Sequence, residues 1–166
     1  MNLNIIILAA GNGKRMHSTL PKVMHKVGGK TMLEHVLISA KKLKPTSINV
    51  VLNPKIESLK ESFKSYDIHW HTQLEQKGTA DAVKTVLPSL KKDEKVLILY
   101  ADTPLIDSNL LETFINYMPE SDVKVLTVEL ENPFGYGRII REQAEEEIVA
   151  KIIEEVEADH IQKNIK

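Results

Sequence analysis

One stretch of sequence decides the fold: Ile5-Ile6-Ile7-Leu8-Ala9-Ala10-Gly11-Asn12-Gly13. Its uninterrupted apolar run, residues 5–8, has the pattern of a central parallel strand that is covered on both faces. The small residues that follow leave room for consecutive peptide N–H groups to close around an anion. Lys14, Arg15 and Lys22 then add positive charge. The sequence therefore predicts a polyphosphate-binding loop at the carboxyl edge of an α/β sheet.

Two familiar phosphate-binding motifs do not fit this loop. The dinucleotide fingerprint G-x-G-x-x-G would need a glycine where Met16 stands, which argues against a Rossmann NAD site. Gly29-Lys30-Thr31 resembles the end of a P-loop, but the first glycine of that motif would fall on Met24. Thr31 is better explained by a capping box with Glu34, so a helix is predicted to begin there.

Composition narrows the functional classes. The chain has 166 residues, enough for one domain with a sizeable core. Its 22 basic and 23 acidic residues give a formal net charge of -1, so no overall basic field favours nucleic acid or a membrane surface. The absence of cysteine rules out disulfides, thiolate metal sites and a Cys nucleophile, and is compatible with a reducing cytoplasm. We expect no signal peptide, because the N-terminus begins a strand and lacks a cationic flank and a cleavage site. We expect no membrane insertion, since no apolar run reaches the roughly 18 residues of a membrane helix.

Strand and helix patterns alternate along the chain. Strands are predicted at residues 4–9, 48–52, 68–71, 95–100 and 123–128, and helices at 31–43, 56–65, 80–90 and 108–118. This alternation is typical of an α/β fold with a mostly parallel sheet and helices on both faces. Two further strands, at 137–140 and 148–153, are predicted to form a hairpin-like C-terminal extension over one edge of the sheet.

Asp102 directly follows the strand predicted at 95–100. Ligands of open α/β sheets bind at this carboxyl edge. Mg²⁺ needs few protein oxygens when phosphates and water complete its coordination, so one aspartate is enough to suggest a magnesium site. The alternative is that Asp102 only caps the turn at 102–104, and the glycine loop at the same edge favours the metal.

A second loop at this edge is Gln73-Leu74-Glu75-Gln76-Lys77-Gly78-Thr79. The Gln73 carboxamide can pair with both a donor and an acceptor on a nucleobase. Gly78 would let the backbone approach the base, and Thr79 can cap the next helix. The alternative interpretation is an ordinary strand-to-helix loop.

Isolated basic residues carry weaker signals. Lys22 and Arg15 follow the glycine loop, which favours phosphate contacts over the alternatives of a solvated lysine and a surface ion pair. His69 and His71 share a face of a predicted strand, but a half-exposed strand face is favoured over a metal site because no third ligand is evident. No H-E-x-x-H or G-x-S-x-G motif supports metalloprotease or serine-hydrolase chemistry.

Five segments occur in a fixed order: Leu8-Ala9-Ala10-Gly11-x-Gly13-x-Arg15-Met16, Leu20-Pro21-Lys22-Val23, Gln73-x-Glu75-Gln76-x-Gly78-Thr79-Ala80, Tyr100-Ala101-Asp102-Thr103-Pro104-Leu105-Ile106 and Asn132-Pro133-x-Gly135-Tyr136-Gly137-Arg138-Ile139. Together they resemble the nucleotidyltransferases that activate sugar phosphates. The first two indicate only that superfamily, which includes cytidylyltransferases. The last three resemble most closely the uridylyltransferase domain of the bacterial bifunctional N-acetylglucosamine-1-phosphate uridylyltransferase/glucosamine-1-phosphate acetyltransferase family.

The resemblance covers nearly the whole chain and implies a Rossmann-like sheet of the nucleotide-diphospho-sugar transferase type. It also implies a set of site residues. The UTP site would be lined by Leu8, Ala9, Ala10 and Gly11, with Gln73 and Gly78 near the uracil, Tyr100 and Ala101 beside the nucleotide, and Thr79, Gly137 and Glu154 contacting nucleotide or amino sugar. The catalytic residues would be Arg15 and Lys22, which bind phosphates, and Asp102, which holds Mg²⁺.

The sequence departs from this family in three places. Ala101 replaces the usual glycine before the metal-binding aspartate, and Asp81 stands where the family often has histidine. The chain also ends before the family's Ile-Asn-Thr-Gly segment and before a later asparagine that shares the metal. We therefore expect residues 1–166 to be a single nucleotidyltransferase domain that is incomplete at its C-terminus. The family's β-helix domain, which carries acetyl transfer and trimerisation, would be absent.

The resemblance implies a reaction between UTP and N-acetylglucosamine 1-phosphate that forms UDP-N-acetylglucosamine and pyrophosphate. In the family this product feeds peptidoglycan and lipopolysaccharide precursor synthesis in the cytoplasm. Two alternatives stay open at this point. The chain could be another sugar-1-phosphate nucleotidyltransferase, or a nucleotide-binding fragment without turnover.

Overall fold

A computed structural model of the chain describes residues 2–11, 13, 16–117, 121–142 and 147–166. Its strands are β1 (Leu3–Leu8), β2 (Lys26–Val27), β3 (Lys30–Thr31), β4 (Ser47–Leu52), β5 (His69–Thr72), β6 (Lys95–Tyr100), β7 (Arg138–Arg141) and β8 (Val149–Ile153). Four of them form a parallel sheet in the order β5-β4-β1-β6. The strand that carries the apolar run 5–8 therefore lies inside the sheet, as its pattern predicts.

Among the residues that the structure describes, three α-helices occur: α1 (Met32–Lys42), α2 (Thr79–Lys84) and α3 (Ser108–Asn116). The capping box predicted at Thr31 is confirmed, because its side-chain oxygen accepts a hydrogen bond from the Glu34 N–H at 3.1 Å. Asp107 caps α3 in the same way and accepts from two backbone N–H groups. Short 3₁₀ segments occur at Lys22–Met24, Pro54–Phe63, Leu87–Ser89 and Gln162–Asn164.

The core lies on both faces of the sheet. On one face Ile5 and Ile7 pack in a cluster with buried residues of α1, such as Leu37, and of α3, such as Leu111. On the other face Ile6 packs in a smaller cluster with Ala82 and Val86, in and after α2. Because successive strand residues point to opposite faces, the apolar run fills both layers. The predicted α/β architecture with helices on both faces is confirmed.

Three predicted elements differ from the structure. The helix predicted at 56–65 is a 3₁₀ segment with non-helical backbone at Ile56, following the cap Asn53 and Pro54. The helix predicted at 80–90 ends at Lys84 and gives way to a 3₁₀ turn that contains Pro88. The strand predicted at 123–128 is wrong within the described residues, where this segment pairs with no strand. Apolar alternation indicates a strand only where a partner offers the ladder of hydrogen bonds.

The chain divides into two compact units, Met1–Pro119 and Glu120–Lys166. The second contains the antiparallel pair β7–β8, which confirms the predicted hairpin. In this unit the side chain of Arg138 is 3% exposed and lies 2.8 Å from the carboxylate of Glu155. Arg138 also donates to the carbonyl oxygens of Tyr136 and Lys163. In the described part of the chain, no helix is both long enough and apolar enough to span a membrane.

Candidate functional site

A cleft of about 270 Å³ opens where β1, β5 and β6 end, in the first unit. The three strands are parallel and belong to one sheet, so their carboxyl ends meet at the same edge. The cleft is lined by Leu8, Ala9, Ala10, Gly11, Lys22, Val23, Gln73, Gln76, Gly78, Thr79, Ala82, Tyr100 and Asp102. Segments far apart in the sequence, which were predicted separately to bind one nucleotide, therefore lie around one cavity.

The floor of the cleft is the turn that follows β1. Its backbone continues the sheet for one more residue, because the Ala9 N–H donates to the Val51 carbonyl at 2.9 Å. The Ala10 carbonyl then accepts from two side-chain amides, Asn53 Nδ2 at 2.8 Å and Gln76 Nε2 at 2.6 Å. These bonds hold the backbone where the predicted anion-binding loop begins.

Asn53 and Gln76 had no role assigned from the sequence. Asn53 is 4% exposed, and its side-chain oxygen also caps the segment that starts at Pro54. For Asn53 a signal was present, since it directly follows β4 at the carboxyl edge, whereas Gln76 lies further along the loop after β5. Both side chains bind the Ala10 carbonyl, which is 43 residues from Asn53 and 66 residues from Gln76 in the sequence. Motif spacing could not predict contacts over such separations.

Gly13 brings two parts of the loop into close contact. Its φ is +57°, a conformation that L side chains rarely adopt. A Cβ at this position would lie 2.8 Å from the Cβ of Lys22. The absence of a Cβ at Gly13 therefore leaves room for the side chain of Lys22, which lines the cleft.

Lys22 and Asp102 form an ion pair in the cleft, with Nζ and Oδ2 2.5 Å apart. Both side chains are about one-third exposed, at 31% and 36%. They are the two charged residues among those described as lining the cleft. A cation and a carboxylate side by side at the end of β6 offer one site for phosphate oxygens and one for a divalent metal.

The donor set fits a magnesium ion that is held mainly by its substrate. No group of three or more His, Cys, Asp or Glu side chains with metal-binding geometry occurs among the residues that the structure describes. A site that depended on protein ligands alone would need more than Asp102. Mg²⁺ usually keeps water and substrate phosphates in its shell, and one carboxylate suffices for that.

Gln73 also lines the cleft, and the residue is 4% exposed. Its backbone N–H donates to the Leu52 carbonyl at 2.8 Å and so extends the pairing of β5 with β4. Its Nε2 donates to the Gly78 carbonyl at 3.1 Å and to Asp81 Oδ2 at 2.8 Å. Gly78 has a φ of +104° at the N-terminus of α2, a conformation suited to glycine.

The remaining predicted residues have different positions. Tyr100 is half-exposed and lines the cleft, whereas Ala101 is fully buried in the core and does not line it. Arg15 lies outside the described residues. Gly137 and Glu154 belong to the second unit, where they are neighbours: a Cβ on Gly137 would lie 3.8 Å from the Glu154 carboxylate.

His71 on β5 makes a partly buried hydrogen bond. His71 Nε2 lies 2.9 Å from the side-chain oxygen of Asn49 on the neighbouring strand. Burial lowers the pKa of His71, a hydrogen bond with the Thr85 backbone opposes that change, and the nearby His69 lowers the pKa further. The neutral ring is therefore favoured beneath α2.

Comparison with known proteins identifies relatives of the whole chain. The family model described as the MobA-like NTP transferase domain matches residues 5–163. The bifunctional protein GlmU of Nitrosococcus oceani is 45% identical over 166 residues, which are 100% of this chain and 36% of that protein. GlmU of Marinobacter nauticus is 42% identical over 164 residues, 99% of this chain and 36% of that one. The chain thus spans about a third of the length of these curated relatives.

The same fold occurs in a solved structure of lower sequence similarity. HddC from Yersinia pseudotuberculosis superposes with a TM-score of 0.73 at 22% identity, covering 91% of this chain and 68% of that one. At this identity the likeness supports the architecture of the sheet and helices.

Proposed function

The chain belongs to the MobA-like NTP transferase domain family, and from this premise we propose that it binds UTP and N-acetylglucosamine 1-phosphate and joins them into UDP-N-acetylglucosamine. One observation carries the proposal. The Lys22–Asp102 ion pair lies beside the glycine-containing turn in the same cleft that Gln73 and Gly78 line. Groups suited to a polyphosphate and groups suited to a nucleobase therefore lie around one cavity. The resemblance of five segments to the uridylyltransferase family supplies the identity of the two substrates.

The proposed reaction is a displacement at phosphorus. A phosphate oxygen of N-acetylglucosamine 1-phosphate attacks the α-phosphorus of UTP, and the bond from that phosphorus to the β-phosphate oxygen breaks. Pyrophosphate leaves with the electron pair of that bond. No nucleophile from the protein is required, so catalysis comes from alignment and charge neutralisation.

Each charged residue of the cleft has a role in this proposal. Lys22 would bind phosphate oxygens together with Arg15, and Asp102 would hold Mg²⁺. The metal, when bound, would neutralise triphosphate charge. The ion pair between Lys22 and Asp102 gives each charge a partner when no substrate is present. Because both side chains remain partly exposed, this pair contributes little stability.

The second unit would serve the sugar side of the reaction. Gly137 and Glu154 are adjacent there, with a small residue next to a carboxylate that can accept hydrogen bonds from sugar hydroxyl or amide groups. Glu154→Ala is expected to impair use of N-acetylglucosamine 1-phosphate more than UTP binding. Equal losses for both substrates would argue for a structural role of Glu154.

We propose the same setting for the product as in the family, a cytoplasmic supply of UDP-N-acetylglucosamine for peptidoglycan and lipopolysaccharide precursors. The direct test is pyrophosphate release by the purified chain with Mg²⁺. The assay crosses UTP, CTP and dTTP with N-acetylglucosamine 1-phosphate and glucose 1-phosphate. Turnover is expected only with UTP and the amino-sugar phosphate.

Other outcomes of this assay distinguish the alternatives. Preference for another pair would identify a different sugar-1-phosphate nucleotidyltransferase. Calorimetric binding of UTP without pyrophosphate release would identify a nucleotide-binding protein without turnover. Absence of both binding and turnover would overturn the proposal.

A further inference from the structure

We propose that Asp81 is a positioning residue that fixes the orientation of the Gln73 carboxamide, so that the cleft presents a hydrogen-bond acceptor to the nucleobase. The inference rests on the proposed function, since it assumes that a nucleotide base lies against Gln73. It assigns to Asp81 a role in choosing between uracil and cytosine.

The orientation follows from the two partners of the Gln73 amide nitrogen. Nε2 carries two hydrogens, and it donates to the Gly78 carbonyl at 3.1 Å and to Asp81 Oδ2 at 2.8 Å. The bond to the carboxylate is charge-assisted and therefore stronger than one between neutral groups. Both hydrogens are thus directed at oxygens of the protein.

The reversed amide would be unfavourable at this place. Rotation by 180° would put Oε1 of Gln73 against a carboxylate oxygen and a carbonyl oxygen, neither of which can donate. Gln73 is 4% exposed, so water has little access to relieve that repulsion. The lone pairs of Oε1 remain as the hydrogen-bonding capacity that Gln73 can offer a ligand.

An acceptor at this position favours uracil over cytosine. N3 of uracil carries a hydrogen and donates, whereas N3 of cytosine is an acceptor and would face Oε1 lone pair to lone pair. A free glutamine amide could serve either base by turning over. Fixing the amide therefore converts an adaptable side chain into a selective one.

Asp81 fixes the Gln73 amide although Asp81 itself does not line the cleft. It lies in the first turn of α2, half-buried, and is absent from the residues described as lining the cleft. It also stands where the uridylyltransferase family often has histidine, whose ring can donate as well as accept. The carboxylate only accepts, so its effect on the base must pass through Gln73.

The test compares nucleotide affinity in Asp81→Asn and in the unaltered chain. Kd values for UTP and CTP are measured by calorimetry, with the melting temperature of each protein recorded. Asparagine keeps the size and helix preference of aspartate but can donate to Oε1, which permits the reversed amide. We expect the unaltered chain to prefer UTP, and Asp81→Asn to reduce the UTP/CTP preference about tenfold, equivalent to one hydrogen bond.

Glu75→Gln is the matched control, because it removes a carboxylate from the same loop whose ion-pair partner is Lys77. Its UTP/CTP ratio should equal that of the unaltered chain. If Asp81→Asn does not fold, the UTP/CTP ratio is measured with Asp81→Ser, which also lacks the charge. An unchanged ratio in a folded Asp81 variant would overturn the role of Asp81 while leaving the proposed function intact. Failure of the unaltered chain to bind either nucleotide would instead overturn the proposed function.

Discussion

At the scale of single residues, Lys22 is the cation whose role can be measured most directly. We expect Lys22→Ala to lower kcat/KM for UTP by about ten- to a hundredfold, the value of one or two hydrogen bonds to a charged group. The free energy of unfolding should change by less than about 1 kcal/mol, because the ion pair that is lost is partly exposed. Pyrophosphate release at limiting UTP and chemical denaturation give the two quantities. Lys30→Ala, at an exposed lysine, is the control, and an unchanged rate in Lys22→Ala would remove Lys22 from the site.

Asp102 gives a second prediction at this scale, because the proposed metal role depends on charge. Asp102→Asn keeps the shape of the side chain and removes the negative charge. We expect activity to fall about a hundredfold or more and the Mg²⁺ concentration for half-maximal rate to rise. Asp107→Asn makes the same change at the cap of α3 and should leave the Mg²⁺ titration unaltered. Normal Mg²⁺ dependence in Asp102→Asn would support the alternative that this residue only caps the turn.

The sequence predicted Lys22 and Asp102 individually, from the glycine turn before one and the apolar strand before the other. Their contact could not be predicted, because it joins residues 80 positions apart. The same limit applies to Gln73, whose place after β5 was predictable but whose bond to Asp81 depends on how α2 begins. Spacing identifies residues at the edge of a sheet, and packing decides which of them meet.

At the scale of elements, β4 and β5 share a polar layer. His71 on β5 contacts Asn49 on β4, and Asn49 in turn donates to Ser47 at 2.9 Å. The predicted strands at 68–71 and 48–52 are confirmed, but their alternation gave no sign of this layer. Helix lengths were also poorly predicted, since the segments that contain Pro54 and Pro88 are 3₁₀ turns, which apolar spacing alone does not distinguish from α-helix.

This layer predicts a stability that depends on pH. Burial lowers the pKa of His71 in the folded chain, so the unfolded chain binds the proton more readily. The contribution of His71 is fully present above the unfolded pKa of about 6.5 and is lost as the pH falls below it. Melting temperature should therefore fall between pH 7.5 and 5.5, and His71→Gln should flatten that slope. His160→Gln, at an exposed histidine, should keep it, and identical slopes for His71→Gln and the unaltered chain would contradict the assignment.

At the scale of the whole molecule, the described lining of the cleft lies within the first unit, and the proposed sugar contacts lie in the second. Arg138 holds the second unit together through Glu155 and two backbone carbonyls. Removing its side chain leaves the Glu155 carboxylate, which is 19% exposed, without this partner. Such a loss costs about 3–5 kcal/mol. Loss of the Arg138 side chain should therefore destabilise the second unit more than the first.

Arg138→Ala tests whether nucleotide binding depends on the first unit and use of the sugar phosphate on the second. We expect faster amide hydrogen exchange across 121–166, little change in exchange across β1, β4 and β6, and a UTP Kd within about threefold of the unaltered value. Turnover with N-acetylglucosamine 1-phosphate should fall much further, because Gly137 and Glu154 lie in the destabilised unit. Glu155→Ala in the same chain should recover part of the lost stability, since it removes the unpaired carboxylate. Arg141→Ala, at an exposed position of the same hairpin, is the control. A loss of UTP affinity as large as the loss of turnover would show that nucleotide binding depends on both units.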